Sequence, residues 1–208
     1  MPRILLSIKL WAIANHRVTH FALTRIRPPA LGRLLAGLSF IGQRLFAAVT
    51  GIEIDAHAHI GPGLMIPHDG YVVIGPVRVG RHCTISQGVT LGQGLVGDAT
   101  VEDDTPVIGD RVWVGPGAVI AGHVTVGSDA AIGANSVLMR DVPPRGVVFG
   151  VPGRLVSRRG SFAQVYFRDM DQDADRVAAL ALAAEEPAAG VTPRTGGGLP
   201  SVSAVSDE

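Results

Sequence analysis

The chain has 208 residues, 47% of them apolar and 17% charged, which is enough for one sizeable core and too apolar for a wholly disordered chain. Its 18 basic and 18 acidic side chains cancel, which argues against a general nucleic-acid binder. A single cysteine, Cys83, excludes an internal disulfide framework and a cysteine-based zinc cage.

The charge is unevenly placed. Residues 1–50 carry Arg3, Lys9, Arg17, Arg25, Arg27, Arg33 and Arg44 and no acid, whereas the stretch from Asp169 onward is acidic. No run reaches the ~18 uncharged apolar residues of a membrane-spanning helix. The opening MPRILLSIKLWAIAN is interrupted by Lys9 and lacks a small-residue cleavage site, so a cytoplasmic protein is expected. Leu5, Ile8, Ala12 and Ile13, then Leu34, Leu35, Leu38, Ile41, Leu45 and Phe46, recur at helical spacing, and Pro28-Pro29 separates them into two helices. A short helical cap over residues 1–50, covering the end of the next domain, is favoured over an amphipathic segment lying on an anionic membrane.

Residues 52–142 contain an internal repeat. The aliphatic residues Ile108, Val114, Ile120, Val126, Ile132 and Leu138 are spaced by six. Glycine or alanine follows each except Leu138, and the position four after each is small or β-branched: Val112, Ala118, Val124, Ala130, Ser136, Val142. The rhythm extends back through Val73, Val79, Ile85 and Leu91, and before that Ile54, Ile60 and Ile66. Neither a helix nor a flat strand has a six-residue period. A chain that turns a corner every six residues does: the aliphatic points inward, glycine supplies unusual backbone angles, and three sides close a coil of about 18 residues. Coils stacked at strand spacing satisfy one another's backbone. One extra residue falls between Ile66 and Val73, beside His68, and a long insertion separates Leu91 from Ile108. Such insertions map to loops, often on the binding face. Pro143-Pro144 and the segment GVPGR close the repeat, residues 161–184 are expected to be one helix, and residues 185–208 a disordered tail. The expected division is a cap (1–50), a repeat domain (51–157) and a C-terminal helix with tail (158–208).

This pattern resembles the hexapeptide-repeat family, whose fold is a left-handed parallel β-helix. The handedness is what the resemblance implies, since ordinary crossovers are right-handed.

A packed coil leaves chemistry to its outside. His68, in MIPHDGYVVIG at the irregular corner, is a candidate general base. Glu53, 15 residues earlier, falls on the adjacent coil, where a carboxylate can orient an imidazole. The run GIEIDAHAHIGPGLMIPHDGYVVIG, followed by SQGVTLGQG, resembles the serine acetyltransferases. The resemblance implies that His68 is the base, that Glu53 stands where the family usually has Asp, and that acetyl-CoA is the co-substrate. It implies pantetheine binding in a groove between subunits of a homotrimer, along Gly92, Gly115 and Ala134, with Arg154 near the nucleotide end. Two departures bear on the acceptor. Where the family carries Arg-His before a proline, this chain has Asp104-Thr105 before Pro106, in a loop that also holds Asp98, Glu102 and Asp103. The N-terminal helical segment is also shorter than the family's. L-serine is the favoured acceptor and a sugar hydroxyl of a surface polysaccharide the alternative. His57, His59, His82 and His123 lack the spacing of a β-helical zinc enzyme, so no metal is expected.

Overall fold

The structure, a computed structural model, describes residues 8–94 and 104–185. The expectations for Asp98, Glu102, Asp103 and residues 186–208 lie outside the described residues.

Helices α1 (Ile8–Arg25) and α2 (Pro29–Thr50) form a hairpin. Pro29 opens α2 where its missing N–H is no loss, and Gly51, at φ 70°, ends it by donating its N–H to the Ala47 carbonyl. The helices meet through small residues: a Cβ on Gly32 would stand 2.4 Å from the Ala22 carbonyl oxygen. The hairpin's inner face lies against the first coil. Ala12 is buried there, with Ile13 and Phe46 packed against the same core. Arg17 donates to the Ile60 and Gly61 carbonyls and Gln43 to that of Ile54.

His16 is sealed in this contact at 2% exposure. Burial, helped by the Arg17 charge, lowers its pKa from 6.5 to about 4. The unfolded chain therefore takes up a proton that the folded chain refuses. The neutral imidazole carries no penalty above pH 6.5, and stability falls as the pH drops from 6.5 towards about 4. Thermal melts across that window are expected to show a smaller acid-induced loss in His16→Phe than in the wild type. An unchanged pH profile would contradict the assignment.

From Ile52 to Phe149 the chain visits three sheets in rotation. Sheet I contains β1 (Ile52–Ile54), β3 (Val72–Ile74), β6 (Thr90–Gly92), β9 (Val119–Ala121) and β12 (Val137–Leu138). Sheet II contains β2 (His59–Ile60), β4 (Arg78–Val79), β7 (Val107–Ile108) and β10 (Thr125–Val126). Sheet III contains β5 (Thr84–Ile85), β8 (Trp113–Val114), β11 (Ala131–Ile132) and β13 (Val147–Phe149), closed by the antiparallel β14 (Arg154–Ser157). All pairings except β13–β14 are parallel, and in the regular coils partners stand 18 residues apart, as Trp113 with Ala131 and Val119 with Val137. Among the described residues the architecture is thus mainly parallel sheet with three helices, consistent with a β-helix.

The six-residue aliphatics form the interior: Ile85, Leu91, Val114, Ile120 and Ile132 are fully buried, and so are Val112, Ala118, Ala130 and Ser136 at the corners.

Three expectations are corrected. First, the ladder passes through Ile74, not Val73. Ile74 pairs with Ile54 and Leu91 and is buried, whereas Val73 faces outward beside Glu53. The corner after Ile66 therefore holds two extra residues, and the step from Ile74 to Val79 is one residue short. Second, the glycines after each aliphatic are not there for unusual angles. The left-handed positions lie three after each aliphatic of sheets II and III, at Gly63, His82, Gly88, Arg111, Gly117, Asp129 and Asn135, with φ of 54–78°. The glycines at 109, 127 and 133 instead admit the neighbouring coil: added Cβ atoms would stand 2.6 Å from Ser128 N, 2.4 Å from Pro144 N and 2.1 Å from the Phe149 ring. Third, the C-terminal helix is short. α3 spans Ala174–Glu185, and residues 161–173 form turns held to the coil by side chains.

Candidate active site

Glu53 is the outward residue at the centre of β1, half-buried, with Val73 beside it on β3. It lines a cavity of about 360 Å³ between sheet I and α2, together with Arg44, Gln43, Asp55 and His57. His68 is exposed, in the enlarged corner joining sheet III to sheet I. Backbone contacts to the next coil fix this corner. Gly88 N–H donates to the Tyr71 carbonyl at 2.5 Å, and Gly70, at φ 140°, leaves just enough room for Gln87. His68 precedes β3, the strand that pairs with β1 and sets Val73 beside Glu53. No hydrogen bond or ion pair joins Glu53 to His68 among the described residues.

The other candidates fall on two corners. Gly115 and Ala134 stack on the same corner as His68, further along the coil axis, with a Cβ on Gly115 meeting Ala134 N at 2.9 Å. The column is held by backbone bonds from Gly117 N–H to the Gln87 carbonyl (2.9 Å) and from Asn135 N–H to the Pro116 carbonyl (2.8 Å). Gly115 has a packing reason of its own, because a Cβ there would also stand 2.8 Å from the Ile132 carbonyl oxygen. Ala134 is exposed. Gly92 lies across sheet I, at the corner where the long loop leaves, and a Cβ on it would meet nothing within 4 Å. Of the three small residues, Gly92 is the one whose missing side chain opens onto free space. Arg154 is exposed and pairs with Phe149, whose ring covers Gly133 at the far end of the His68 corner.

At the base of the long loop, Gly94 N–H donates to the Asp104 carbonyl at 3.1 Å, and the Asp104 carboxylate lies over Gly94 and near Gly122. Thr105 is buried. Of the arginines that could offset the loop's acids, Arg81 is engaged by Asp110 and Asp175, and Arg111 is buried against Asp129. Arg78 instead lines a small cavity with Thr105, His20 and His59.

Cys83 is buried. Loss of solvent raises its pKa from 9.0 to about 12, and its thiol donates to the Gly109 carbonyl at 3.1 Å. A thiol held neutral in this way packs rather than attacks. No group of three or more His, Cys, Asp or Glu is arranged for a metal ion among the described residues.

Sequence reasoning missed two side-chain clusters. One is the histidine cluster between cap and coil, with the His20 and His59 rings meeting edge to face at 4.9 Å. The other is the buried Arg111–Asp129 pair and the segment it anchors. The 18-residue spacing of Arg111 and Asp129 is the signal that could have found the second.

Residues 105–140 match the bacterial transferase hexapeptide family (six repeats). Over 150 residues the chain is 41% identical to a serine acetyltransferase of Synechococcus elongatus, covering 72% of this chain and 57% of that protein. Among solved structures it is similar to soybean serine acetyltransferase complexed with serine, with a TM-score of 0.62, 34% identity, and coverage of 72% of this chain and 58% of that one. It is also similar to a serine acetyltransferase in complex with CoA, with a TM-score of 0.59, 32% identity, and coverage of 70% and 55%. The chain thus spans somewhat more than half the length of the relatives it matches. The coil, its repeat and these likenesses agree: residues 105–140 carry the repeat of the bacterial transferase hexapeptide family, and over about 150 residues the chain is similar to serine acetyltransferases.

Proposed function

We propose that the protein is an acetyl-CoA-dependent O-acetyltransferase of the serine acetyltransferase type, with L-serine as acceptor. The observation that carries this reading is the position of His68, exposed at an enlarged corner in line with the small-residue column of Gly115 and Ala134. Its relatives with bound serine and bound CoA support the two substrates. In this reading the coil is left-handed and three subunits assemble around it, so that each acetyl-CoA lies in a groove between neighbours. Residues 51–157 form the catalytic domain, 1–50 its cap and 158–208 its C-terminal extension, in a cytoplasmic protein.

The chemistry is direct transfer. Nε2 or Nδ1 of His68 takes the proton of the acceptor hydroxyl as its oxygen attacks the thioester carbonyl. The resulting tetrahedral oxyanion is stabilised by a backbone N–H of the groove. The C–S bond breaks, the acetyl group remains on the acceptor oxygen, and the thiolate leaves with the proton returned from His68. The pantetheine arm follows the corner of Gly115 and Ala134, and Arg154 lies towards the nucleotide. Glu53, on the strand paired with the one that follows His68, holds the imidazole in place. Glu53→Gln is expected to lower kcat with little change in KM for acetyl-CoA, and steady-state kinetics of the variant check this. Unchanged turnover would remove Glu53 from the mechanism.

A sugar hydroxyl as acceptor is the second reading. It is favoured by Asp104 and Thr105, which stand where the serine enzymes carry Arg-His, and by the engagement of Arg81 and Arg111 elsewhere. The two readings separate in one assay of thiol release from acetyl-CoA with L-serine beside a panel of sugars. Release with serine supports the first. Release with a sugar and none with serine moves the protein to polysaccharide modification.

A further inference from the structure

The outer face of the helical hairpin is apolar and uncovered. On α2 the residues Leu31, Leu34, Leu38, Ile41, Leu45 and Val49 recur at helical spacing, and exposure reaches 60% at Leu38, 65% at Leu45 and 70% at Val49. On α1, Trp11, Val18 and Phe21 are each more than half exposed. These residues are not needed for the cap, which uses the opposite face through Ala12, His16, Arg17 and Gln43. A patch of this kind on a folded domain marks an interaction surface.

Charge decides what covers it. Residues 1–50 contain seven Lys and Arg and no Asp or Glu. Arg25, Arg27, Arg33 and Arg44 are exposed on or between the two helices. A second copy docking by the same patch would bring two sets of these cations together with no acid to pair them. An anionic lipid surface answers both features, taking up the apolar stripe and neutralising the arginines. Neither described helix is long and apolar enough to cross a bilayer, so the hairpin lies on the surface.

We propose that the α1–α2 hairpin is a peripheral docking surface for anionic membranes, inserting the Leu38–Leu45 stripe at the level of the headgroups. This holds whichever acceptor the enzyme uses.

The test is flotation of the full chain with vesicles of phosphatidylcholine, with and without phosphatidylglycerol. The protein is expected to float with the phosphatidylglycerol vesicles, to bind neutral ones at least tenfold more weakly, and to be released by salt. Arg27→Glu with Arg33→Glu, and separately Ile41→Ser with Leu45→Ser, are each expected to weaken binding about tenfold or more while leaving thiol release unchanged. Equal binding to neutral vesicles, or charge-reversed protein that still floats, would overturn the proposal. So would a chain that ignores vesicles and whose assembly dissociates in Ile41→Ser/Leu45→Ser by light scattering, because the stripe would then be an interface between copies.

Discussion

His68→Ala is expected to lower kcat for thiol release by about 10²–10⁴-fold, the usual contribution of a positioned general base. The hydroxyl of an amino acid or sugar is hardly ionised at neutral pH, so attack on a thioester without proton removal is slow. Imidazole is suited to removing that proton because it exchanges protons near neutrality. His68 makes no hydrogen bond that the fold depends on, and its corner is held by the backbone of Tyr71, Gln87 and Gly88. As an exposed surface substitution it should alter stability by no more than about 0.5 kcal/mol. It also lies off the Gly115–Ala134 stretch proposed for the pantetheine arm, so acetyl-CoA affinity should stay within a few-fold. A variant with normal melting and normal acetyl-CoA binding but a collapsed kcat assigns His68 to the chemistry. A collapsed kcat with lost binding would assign it to substrate positioning instead.

Arg111→Ala is expected to cost about 3–5 kcal/mol, the range for breaking a buried ion pair from one side. The Arg111 and Asp129 side chains are each 4% exposed. Their bonds are bidentate, Nε to Oδ1 at 2.7 Å and Nη2 to Oδ2 at 2.9 Å. The hydrogen bonds to the Asp129 carboxylate raise the Arg111 pKa further, so the guanidinium stays charged. The pair is also where the C-terminal segment attaches: Ser161 Oγ donates to the Arg111 carbonyl at 2.6 Å, Ser161 N–H to the Asp129 carbonyl at 2.8 Å, and Asp173 lies 3.5 Å from Arg111 Nη1. Truncating the arginine strands a carboxylate in the wall and loosens residues 160–175 together. At about 2–4 °C per kcal/mol for a chain of this size, the melting temperature should fall by about 6–20 °C. Arg111→Met with Asp129→Asn removes both charges and keeps a residue that tolerates the left-handed backbone at 129, so it should recover part of the loss. Equal melting of wild type and Arg111→Ala would contradict this account of the segment.

The coil was legible because its geometry repeats. A side chain that must point inward every sixth residue leaves the same mark in sequence that a helix leaves at 3.6. The slip from Val73 to Ile74 was not legible, because the two-residue insertion and the one-residue deletion nearly cancel and an adjacent valine and isoleucine are interchangeable by pattern. The glycines were visible but misassigned. Their reason is the approach of the next coil, a contact between residues 16 to 19 apart that only packing displays. Residues 161–173 failed as a helix because Ser161, Phe167 and Asp173 are each taken by the coil, the Phe167 ring stacking on His82 at 4.0 Å. At the site, the insertion beside His68 is visible in the structure as an enlarged corner, and Glu53 stands on β1, the strand paired with the β3 that follows that corner. Arg81 and Arg111 are taken by Asp110, Asp175 and Asp129, and pattern alone does not show which of these acids each arginine meets.

The most direct measurement of the central claim is mass-spectrometric detection of the acetylated acceptor after incubating the purified chain with acetyl-CoA and L-serine, with His68→Ala alongside. The account predicts O-acetylserine, in step with free CoA, from the wild type and next to none from the variant. O-acetylserine formed equally by both would contradict the assignment of His68 as the base, and an acetyl group found on the protein instead of the acceptor would contradict direct transfer.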